Sequence, residues 1–133
     1  MANIKIGMDG LERAVTKILS DLPPKADEAL DNAAKTVSKK AVDELKATSP
    51  IGSGKKSGSY ARGWTTKKQK NETIVHNKTD YGLTHLLEYG HEIVIYGKAT
   101  GKRTRAISHI KPVEEMVQEE YPKEFEKELE KLL

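Results

Sequence analysis

The central stretch of the chain, from Ser49 to Glu114, constrains the fold more than any other part of the sequence. It carries turn residues, apolar residues and a helix start in a fixed order, and no arrangement of side chains that indicates catalysis. The series comprises Ser49-Pro50, Gly58-Ser59, Arg62-Gly63-Trp64, Val75-His76-Asn77, Tyr81, Leu86-Leu87-Glu88-Tyr89-Gly90 and Ser108-His109-Ile110-Lys111-Pro112. Residues of these kinds specify a shape, which favours a protein that fits against partners over one that performs chemistry.

The sequence on both sides of this stretch has the periodicity of amphipathic helices. Asp9 is a candidate N-cap for a helix that runs to about residue 20, before Pro23-Pro24 interrupts it. A longer helix is predicted over about 24–47, where a narrow, alanine-rich stripe suits close packing. A last helix is predicted from Pro112, a favoured first residue, to the C-terminus, with Pro122 kinking or dividing it. The alanine-rich stripe comprises Ala26, Ala29, Leu30, Ala33, Val37, Ala41 and Leu45.

Short runs with strand character account for most of the remaining sequence. Strands are predicted over 4–6, about 60–68, about 72–77 and 92–96, with a polar turn at 69–71. A short helix over 81–89 is predicted to close at Gly90 in the left-handed conformation. Ile107 and Ile110 are predicted to form a last short strand or a packed turn. Two glycine-containing loops, near 52–59 and 97–106, have little to bury, so we expect them to be flexible.

Length and composition define the class of protein. The 133 residues suit a single domain over 1–133. We predict an α+β fold with the long N-terminal helix and the C-terminal helix on one face of a small, mainly antiparallel sheet.

The absence of cysteine excludes disulfides and thiolate chemistry. No stretch approaches the roughly 20 apolar residues of a membrane-spanning helix, and the first residues lack a signal-peptide core. We therefore expect a product made in the cytoplasm, with no membrane partner.

Charge is distributed unevenly along the chain, although the formal net charge is only +3. Residues 52–111 carry twelve basic and four acidic side chains, whereas residues 114–133 carry eight glutamates and three lysines. Such a dipolar layout suits contact between copies of the chain, or a basic face turned toward a polyanion.

The basic residues of the two loops and their surroundings are candidates for contact with a partner or with DNA. Two interpretations stay open: a solvated surface, or a face toward DNA or an acidic protein rim, because phosphate contacts need only loosely spaced positive charge. Tyr60, Trp64 and Tyr96 lie near these loops and are predicted to be core residues rather than a platform for stacking bases. The candidates are Lys55, Lys56, Arg62, Lys98, Lys102, Arg103 and Arg105.

The sequence gives weaker indications of a metal site or a catalytic site. His85, Glu88 and His91 recur every third residue, a spacing that could hold a metal, but Gly90 should end the helix before His91. Ser108 and His109 are adjacent, and adjacent residues rarely point together as a nucleophile and its base. We therefore predict no catalytic residue, no metal site, no cofactor and no enzymatic activity. Glu88 is expected instead to accept hydrogen bonds from the backbone or from a basic neighbour, tying the short helix to the sheet.

The landmarks resemble, in order and spacing across roughly residues 8–133, a family of neck and tail components of tailed bacteriophages. The departures are a longer insert over 52–59 and Ser108 at a position where proline is common in the family. The matching structural positions are Pro50, Trp64, Asn77, Tyr81, Glu88, Gly90, His109 and Pro112.

The resemblance implies a structural virion protein rather than an enzyme. It implies a homo-oligomeric ring, commonly sixfold, that joins head to tail in a tail-completion or tail-terminator role, with DNA passing through its lumen. Its partners would be copies of itself and the neighbouring head-connector and tail-tube proteins. The leading alternative is a small cytosolic nucleic-acid-binding protein that uses the basic region 52–111. A small hydrolase built on Glu88 and the histidines is a further alternative.

Overall fold

A computed structural model describes residues 4–6, 25–52, 54–70 and 72–132. The fold is α+β, as predicted. The helix predicted over 9–20 lies outside the described residues. In chain order the elements are β1 (Ile4–Ile6), α1 (Lys25–Thr48), α2 (Ser59–Arg62), β2 (Trp64–Gln69), β3 (Glu72–Asn77), a 3-10 turn (Tyr81–Leu83), α3 (Thr84–Tyr89), β4 (Glu92–Ile95), β5 (Lys98–Arg103) and α4 (Ile110–Leu132).

The first sheet has three antiparallel strands in the order β1-β3-β2. Val75 of the central strand pairs with Ile4 on one side and with Thr66 on the other. Because side chains alternate along a strand, the buried residues Ile4, Trp64 and Val75 share one face of this sheet. That face packs against the helices.

Helices α1 and α4 pack against each other and against this face, as the two apolar stripes predict. Ala29, Ala33 and Ala41 of α1 are fully buried, and their small side chains let the neighbouring elements approach closely. The α4 stripe supplies the larger apolar groups of the same cluster, each worth about 1.5–3 kcal/mol when fully buried. These groups are Val113, Val117, Tyr121 and Phe125.

Pro122 does not divide α4, which is continuous from Ile110 to Leu132. Proline removes one backbone hydrogen bond and crowds the preceding turn. Tyr121 and Phe125 are buried on either side of it. This packing on both sides of Pro122 holds the helix together through the interruption.

Three local predictions differ from the structure. The strand predicted from residue 60 begins at Trp64, because residues 59–62 form the short helix α2. Ile107 and Ile110 form no strand, since Ile110 opens α4. Gly90 ends α3 with a positive φ of 75°, but its ψ of 170° is extended rather than left-handed helical. The glycine therefore turns the chain directly toward β4.

The second sheet is a hairpin of β4 and β5. The segment 97–106, predicted as a loop, contains strand β5, so there are two small antiparallel sheets rather than one. In the 52–59 region, residues 54–58 form turns, with the Gly58 N–H donating to the Ile51 carbonyl at 2.8 Å. The flexibility of both segments stays a prediction. Among the described residues, no helix is long and apolar enough to cross a membrane.

Candidate assembly site

Four of the predicted structural positions, Trp64, Asn77, Glu88 and His109, meet in one buried polar cluster between the first sheet and the start of α4. The Trp64 indole Nε1 donates to Ser49 Oγ at 2.8 Å, which ties the end of α1 to β2. Asn77 Nδ2 donates to the Tyr60 carbonyl at 2.6 Å, which ties β3 to α2. The rings of Tyr60, Trp64 and His109 meet edge-on, with centroids 5.5–6.5 Å apart. We call this set of residues, with Glu88, the landmark cluster.

Glu88 joins α3 to the N-terminus of α4 within this cluster. Its Oε1 accepts hydrogen bonds from the backbone N–H groups of His109 and Ile110 at 2.8 and 2.9 Å. Its Oε2 accepts from the N–H of Lys111 at 3.0 Å and from Ser108 Oγ at 3.2 Å. The next residue, Pro112, has no N–H. The unpaired donors that open a helix are thus satisfied by one carboxylate or removed by one proline.

This arrangement fixes the charge of Glu88. Burial is the largest single influence and raises the pKa of the carboxyl, but the three backbone donors and the nearby His109 together outweigh it. The net effect lowers the pKa of Glu88 below its ordinary value. A negative charge at a helix N-terminus also interacts favourably with the helix dipole. The predicted role of Glu88 as a backbone acceptor is confirmed, although it binds the start of α4 rather than the sheet.

His109 and Tyr60 complete the cluster. His109 Nδ1 lies 2.7 Å from the Ile107 carbonyl, which can only accept, so Nδ1 carries the proton. His109 Nε2 then accepts from the Tyr60 hydroxyl at 2.6 Å. Burial, with smaller contributions from Glu88 and Asp80, raises the pKa of Tyr60, so its hydroxyl stays protonated and able to donate.

Two glycines allow the backbone to approach this cluster closely. A Cβ at Gly63 would lie 2.1 Å from Thr79 Oγ1 and 2.3 Å from Asn77 Oδ1. A Cβ at Gly90 would lie 2.6 Å from the Thr104 carbonyl, where the chain returns from the hairpin. The Leu-Glu-x-Gly segment therefore does two jobs. Its glutamate accepts hydrogen bonds from the first residues of α4, and its glycine lets the backbone at Thr104 pass close by.

The β4–β5 hairpin extends from this anchored base. Thr104 N–H donates to the His91 carbonyl at 2.8 Å, and His91 N–H donates to Thr104 Oγ1 at 2.9 Å. Arg103 Nη2 also donates to the Gly90 carbonyl, at 3.3 Å. At the far end, Tyr96 and Gly97 both have positive φ, 51° and 76°, as in the two-residue turns typical of hairpins.

The tip of the hairpin is apolar and uncovered. Tyr96 is 100% exposed, and Val94 and Ile95 are 57% and 54% exposed. The prediction that Tyr96 is a core residue is wrong, because the turn projects it away from the body, whereas Tyr60 and Trp64 are buried as predicted. We call Val94, Ile95 and Tyr96 the hairpin tip.

The predicted basic contact residues fall into two groups, all exposed. Lys98, Lys102 and Arg103 lie on β5, and Arg105 follows it. Lys55 and Lys56 lie in the turn before α2, whose residue Arg62 reaches back to the Ser57 carbonyl at 3.4 Å. Their contact with a partner or DNA stays a prediction. Of the other structural positions, Tyr81 is exposed and Pro112 lies in the first turn of α4, while Pro50 follows α1.

The triad of His85, Glu88 and His91 has no metal-binding geometry. Glu88 is committed to the start of α4, and His91 Nδ1 lies 2.9 Å from the Glu92 carbonyl. Within the described part of the chain, no group of three or more acidic, histidine or cysteine side chains could hold a metal ion.

A second basic surface was missed by the sequence analysis. Lys35, Lys39 and Lys46 of α1 line a groove together with Lys67 and Lys68 of β2. Residues 1–50 carry equal numbers of acidic and basic side chains, so a charge count along the chain conceals this group. The spacing of the α1 lysines, four and then seven residues apart, was the signal that could have placed them on one helical face.

One family matches the chain. Its sequence model, described as "Bacteriophage HK97-gp10, putative tail-component", covers residues 9–90. The chain belongs to the HK97-gp10-like family. No curated protein and no solved structure matches it. The family is one of phage tail components, which supports a structural role in the tail and a place in the virion. The matched segment includes α1, the first sheet's β2 and β3, and the Glu88-Gly90 segment, whereas the hairpin and α4 lie beyond it.

Proposed function

We propose that this HK97-gp10-like protein is a subunit of a homo-oligomeric ring at the neck or tail end, where it joins head to tail as a tail-completion or tail-terminator component. Membership of a family of tail components supports the structural role. The observation that carries the more specific proposal is the β4–β5 hairpin, which leaves the body of the subunit with an uncovered apolar tip.

The hairpin has the properties of an element that is completed by another protein. A two-stranded hairpin alone is marginally stable in water, and no other strand of the described residues pairs with either of its edges. Tyr96 adopts a positive φ that costs a non-glycine residue about 1–2 kcal/mol. An aromatic residue retained at such a position, fully exposed, fits a contact residue, because tyrosine is enriched at protein interfaces.

In this proposal the landmark cluster and the hairpin have different roles in assembly. The landmark cluster fixes α1, the first sheet and α4 relative to one another, and so sets the angle between successive subunits of a ring. The hairpin and the 52–59 segment contact the adjacent head-connector and tail-tube proteins. Ordering such segments costs conformational entropy, so single contacts are weak and assembly depends on many contacts made at once.

The exposed basic residues assist this contact. Lys98 lies beside the hairpin tip, and Lys102 and Arg103 add positive charge farther along β5. This charge suits an acidic rim on a neighbouring virion protein. Passing DNA would make the same kind of non-specific contact.

The experiment is complementation in the phage or prophage that encodes the chain. Deletion of the gene is expected to leave heads and tails that do not join, visible by electron microscopy, and wild-type protein supplied in trans restores joined particles. The triple variant Val94→Ser/Ile95→Ser/Tyr96→Gly is expected to fold but to restore few joined particles.

A matched control is Lys70→Gly, which removes a positive-φ side chain at the tip of the β2–β3 turn (φ 48°). It is expected to restore joining fully. Normal joining without the gene would overturn the proposed function. Normal joining by the triple variant would overturn the role of the hairpin.

A further inference from the structure

A groove of about 410 Å³ runs between α1 and the outer strand β2 of the first sheet. Five lysines line it, and its other lining residues are four hydroxyl side chains, Val42 and Trp64. Among the described residues, no carboxylate lines the groove. The five lysines are Lys35, Lys39, Lys46, Lys67 and Lys68.

The positive charge of this groove is largely uncompensated within the described residues. Only Lys68 forms an ion pair, with Asp31 at 3.3 Å, and the other four lysines have no carboxylate partner in the described part of the chain. Burial, followed by the charges of Lys67 and Lys78, lowers the pKa of His76 on the neighbouring strand. The neighbouring lysines repel one another, so an acidic group bound in the groove would reduce this repulsion.

Helix α4 carries a surface with the opposite charge. Glu115, Glu119 and Glu126 are exposed, and Glu119 also forms an ion pair with Lys123 of the same helix at 3.3 Å. Their spacing places them on the side of the helix opposite Val117 and Tyr121, which are buried against α1. Glu130 continues the line one turn further on. We call these four glutamates the acidic ridge.

The ridge and the groove match in spacing. Glu115, Glu119 and Glu126 are separated by four and seven residues, and so are Lys35, Lys39 and Lys46. At 1.5 Å per residue each set spans about 16 Å along its helix. The reverse direction matches as well, since Glu130, Glu126 and Glu119 are separated by four and seven residues.

A subunit cannot join its own ridge to its own groove. Helix α4 packs on α1 through its apolar face, so the ridge points away from the subunit body. We propose that the acidic ridge of a second copy of this chain lies in the lysine groove. This inference rests on the proposed function, because it specifies the contact between ring subunits.

Such a contact joins two different surfaces, one from each copy. Contacts of this kind repeat from subunit to subunit and close into rings when the rotation between subunits allows it. A phosphate backbone is the competing occupant of a lysine groove. The second copy is favoured because its charges repeat at the same intervals as the α1 lysines.

The experiment reverses each surface in the full-length chain. The groove variant is Lys35→Glu/Lys39→Glu/Lys46→Glu, and the ridge variant is Glu115→Lys/Glu119→Lys/Glu126→Lys. Because all six residues are exposed, both variants should keep the wild-type melting curve. Mass is measured by sedimentation and light scattering from about 50 mM to about 500 mM salt, a range over which surface charges become screened.

Wild-type protein is expected to associate, and to dissociate as salt rises. Each reversal should raise the dissociation constant about tenfold or more, since several surface pairs change from attraction to repulsion. An equimolar mixture of the two variants should regain association, because each groove then meets a ridge of opposite charge. The control Lys25→Glu/Lys78→Glu/Lys127→Glu makes the same change in net charge as the groove variant, but outside the groove, and should associate as wild type does.

Other outcomes overturn the inference. Association of the groove variant at the wild-type level would show that the ring contact lies elsewhere, while leaving the proposed function intact if the gene is still needed for joining. A wild-type chain that stays monomeric in low salt would also exclude this contact. Binding of short duplex DNA that is lost only in the groove variant, without self-association, would assign the groove to nucleic acid.

Discussion

The landmark cluster and the β4–β5 hairpin come from the same central stretch of sequence, but they treat their side chains in opposite ways. In the cluster, the carboxylate of Glu88 and the ring of His109 are buried and hydrogen-bonded, and among the described residues no buried side-chain polar atom lacks a partner. In the hairpin, Val94, Ile95 and Tyr96 are apolar and exposed. The polar groups of the cluster find their partners within the subunit. The apolar side chains of the hairpin stay available for contact with another molecule.

This difference separates stability from assembly. Substitutions in the cluster should change the free energy of unfolding, and substitutions in the hairpin should change binding to other copies or proteins. The predictions below test that separation, from the largest expected effect on unfolding to the smallest.

Replacement of Glu88 by alanine should have the largest effect. Glu88→Ala leaves three N–H groups at the start of α4 without their acceptor, and losing the charged partner of a buried hydrogen-bonded set costs about 3–5 kcal/mol. The measurement is chemical denaturation. Glu119→Ala, at an exposed glutamate of the same helix, is the control and should change the free energy of unfolding by less than about 0.5 kcal/mol. Similar losses in both variants would contradict the assigned role of Glu88.

The pH dependence of stability tests the same carboxylate. The pKa of Glu88 is lowered in the folded chain, so its ionised form contributes stability that is fully present above the unfolded value of about 4.5 and is lost as pH falls through the folded value. The difference in unfolding free energy between wild type and Glu88→Gln should therefore be constant near neutral pH and shrink below about pH 4.5. A difference that did not change down to pH 2.5 would exclude the lowered pKa.

Tyr60→Phe should cost less, about 1–3 kcal/mol, because it leaves the buried Nε2 of His109 without its donor. Tyr121→Phe is a matched control. Tyr121 is as buried as Tyr60, but within the described part of the chain its hydroxyl has no side-chain partner comparable to His109. Thermal unfolding of both variants should show a clear loss only for Tyr60→Phe. Equal losses would show that the hydrogen bond to His109 adds nothing beyond the removal of a buried hydroxyl.

The sequence predicted the elements of the cluster better than their convergence. Apolar periodicity located α1 and α4. The helix predicted to begin at Pro112 begins two residues earlier, at Ile110, so Pro112 lies within its first turn. Most hydrogen bonds of the cluster, however, join residues that are distant in the chain, such as Tyr60 and His109, which are 49 positions apart. Neither periodicity nor turn chemistry carries information on contacts at such separations. The resemblance to a family supplied the order of the landmarks, and the structure supplied the reason for it.

The assembly surfaces were predicted less completely for a physical reason. Strand β5 has the sequence Lys-Ala-Thr-Gly-Lys-Arg, which lacks the apolar alternation of a half-buried strand because neither of its faces is buried. Tyr96 is of a residue type common in protein cores, but it occupies a turn. In α1, acidic and basic residues cancel in number, so a charge count does not reveal the three lysines that line the groove. Sequence patterns indicate burial against the chain's own core, so they give little information about surfaces that other molecules cover.

The smallest expected effect on unfolding, Tyr96→Gly, separates the two regions most sharply. Glycine adopts the positive φ at this position without the cost borne by tyrosine, so the variant should be unchanged or more stable by up to about 1 kcal/mol. The same substitution removes the aromatic group of the hairpin tip, so it should reduce the joining of heads to tails in complementation. Tyr96 lowers the stability of the turn and is not buried within the subunit. A partner protein that buries its ring would explain its presence. A variant that gained stability and joined particles normally would show that Tyr96 is only a turn residue, and the hairpin tip would then have to act through Val94 and Ile95 alone.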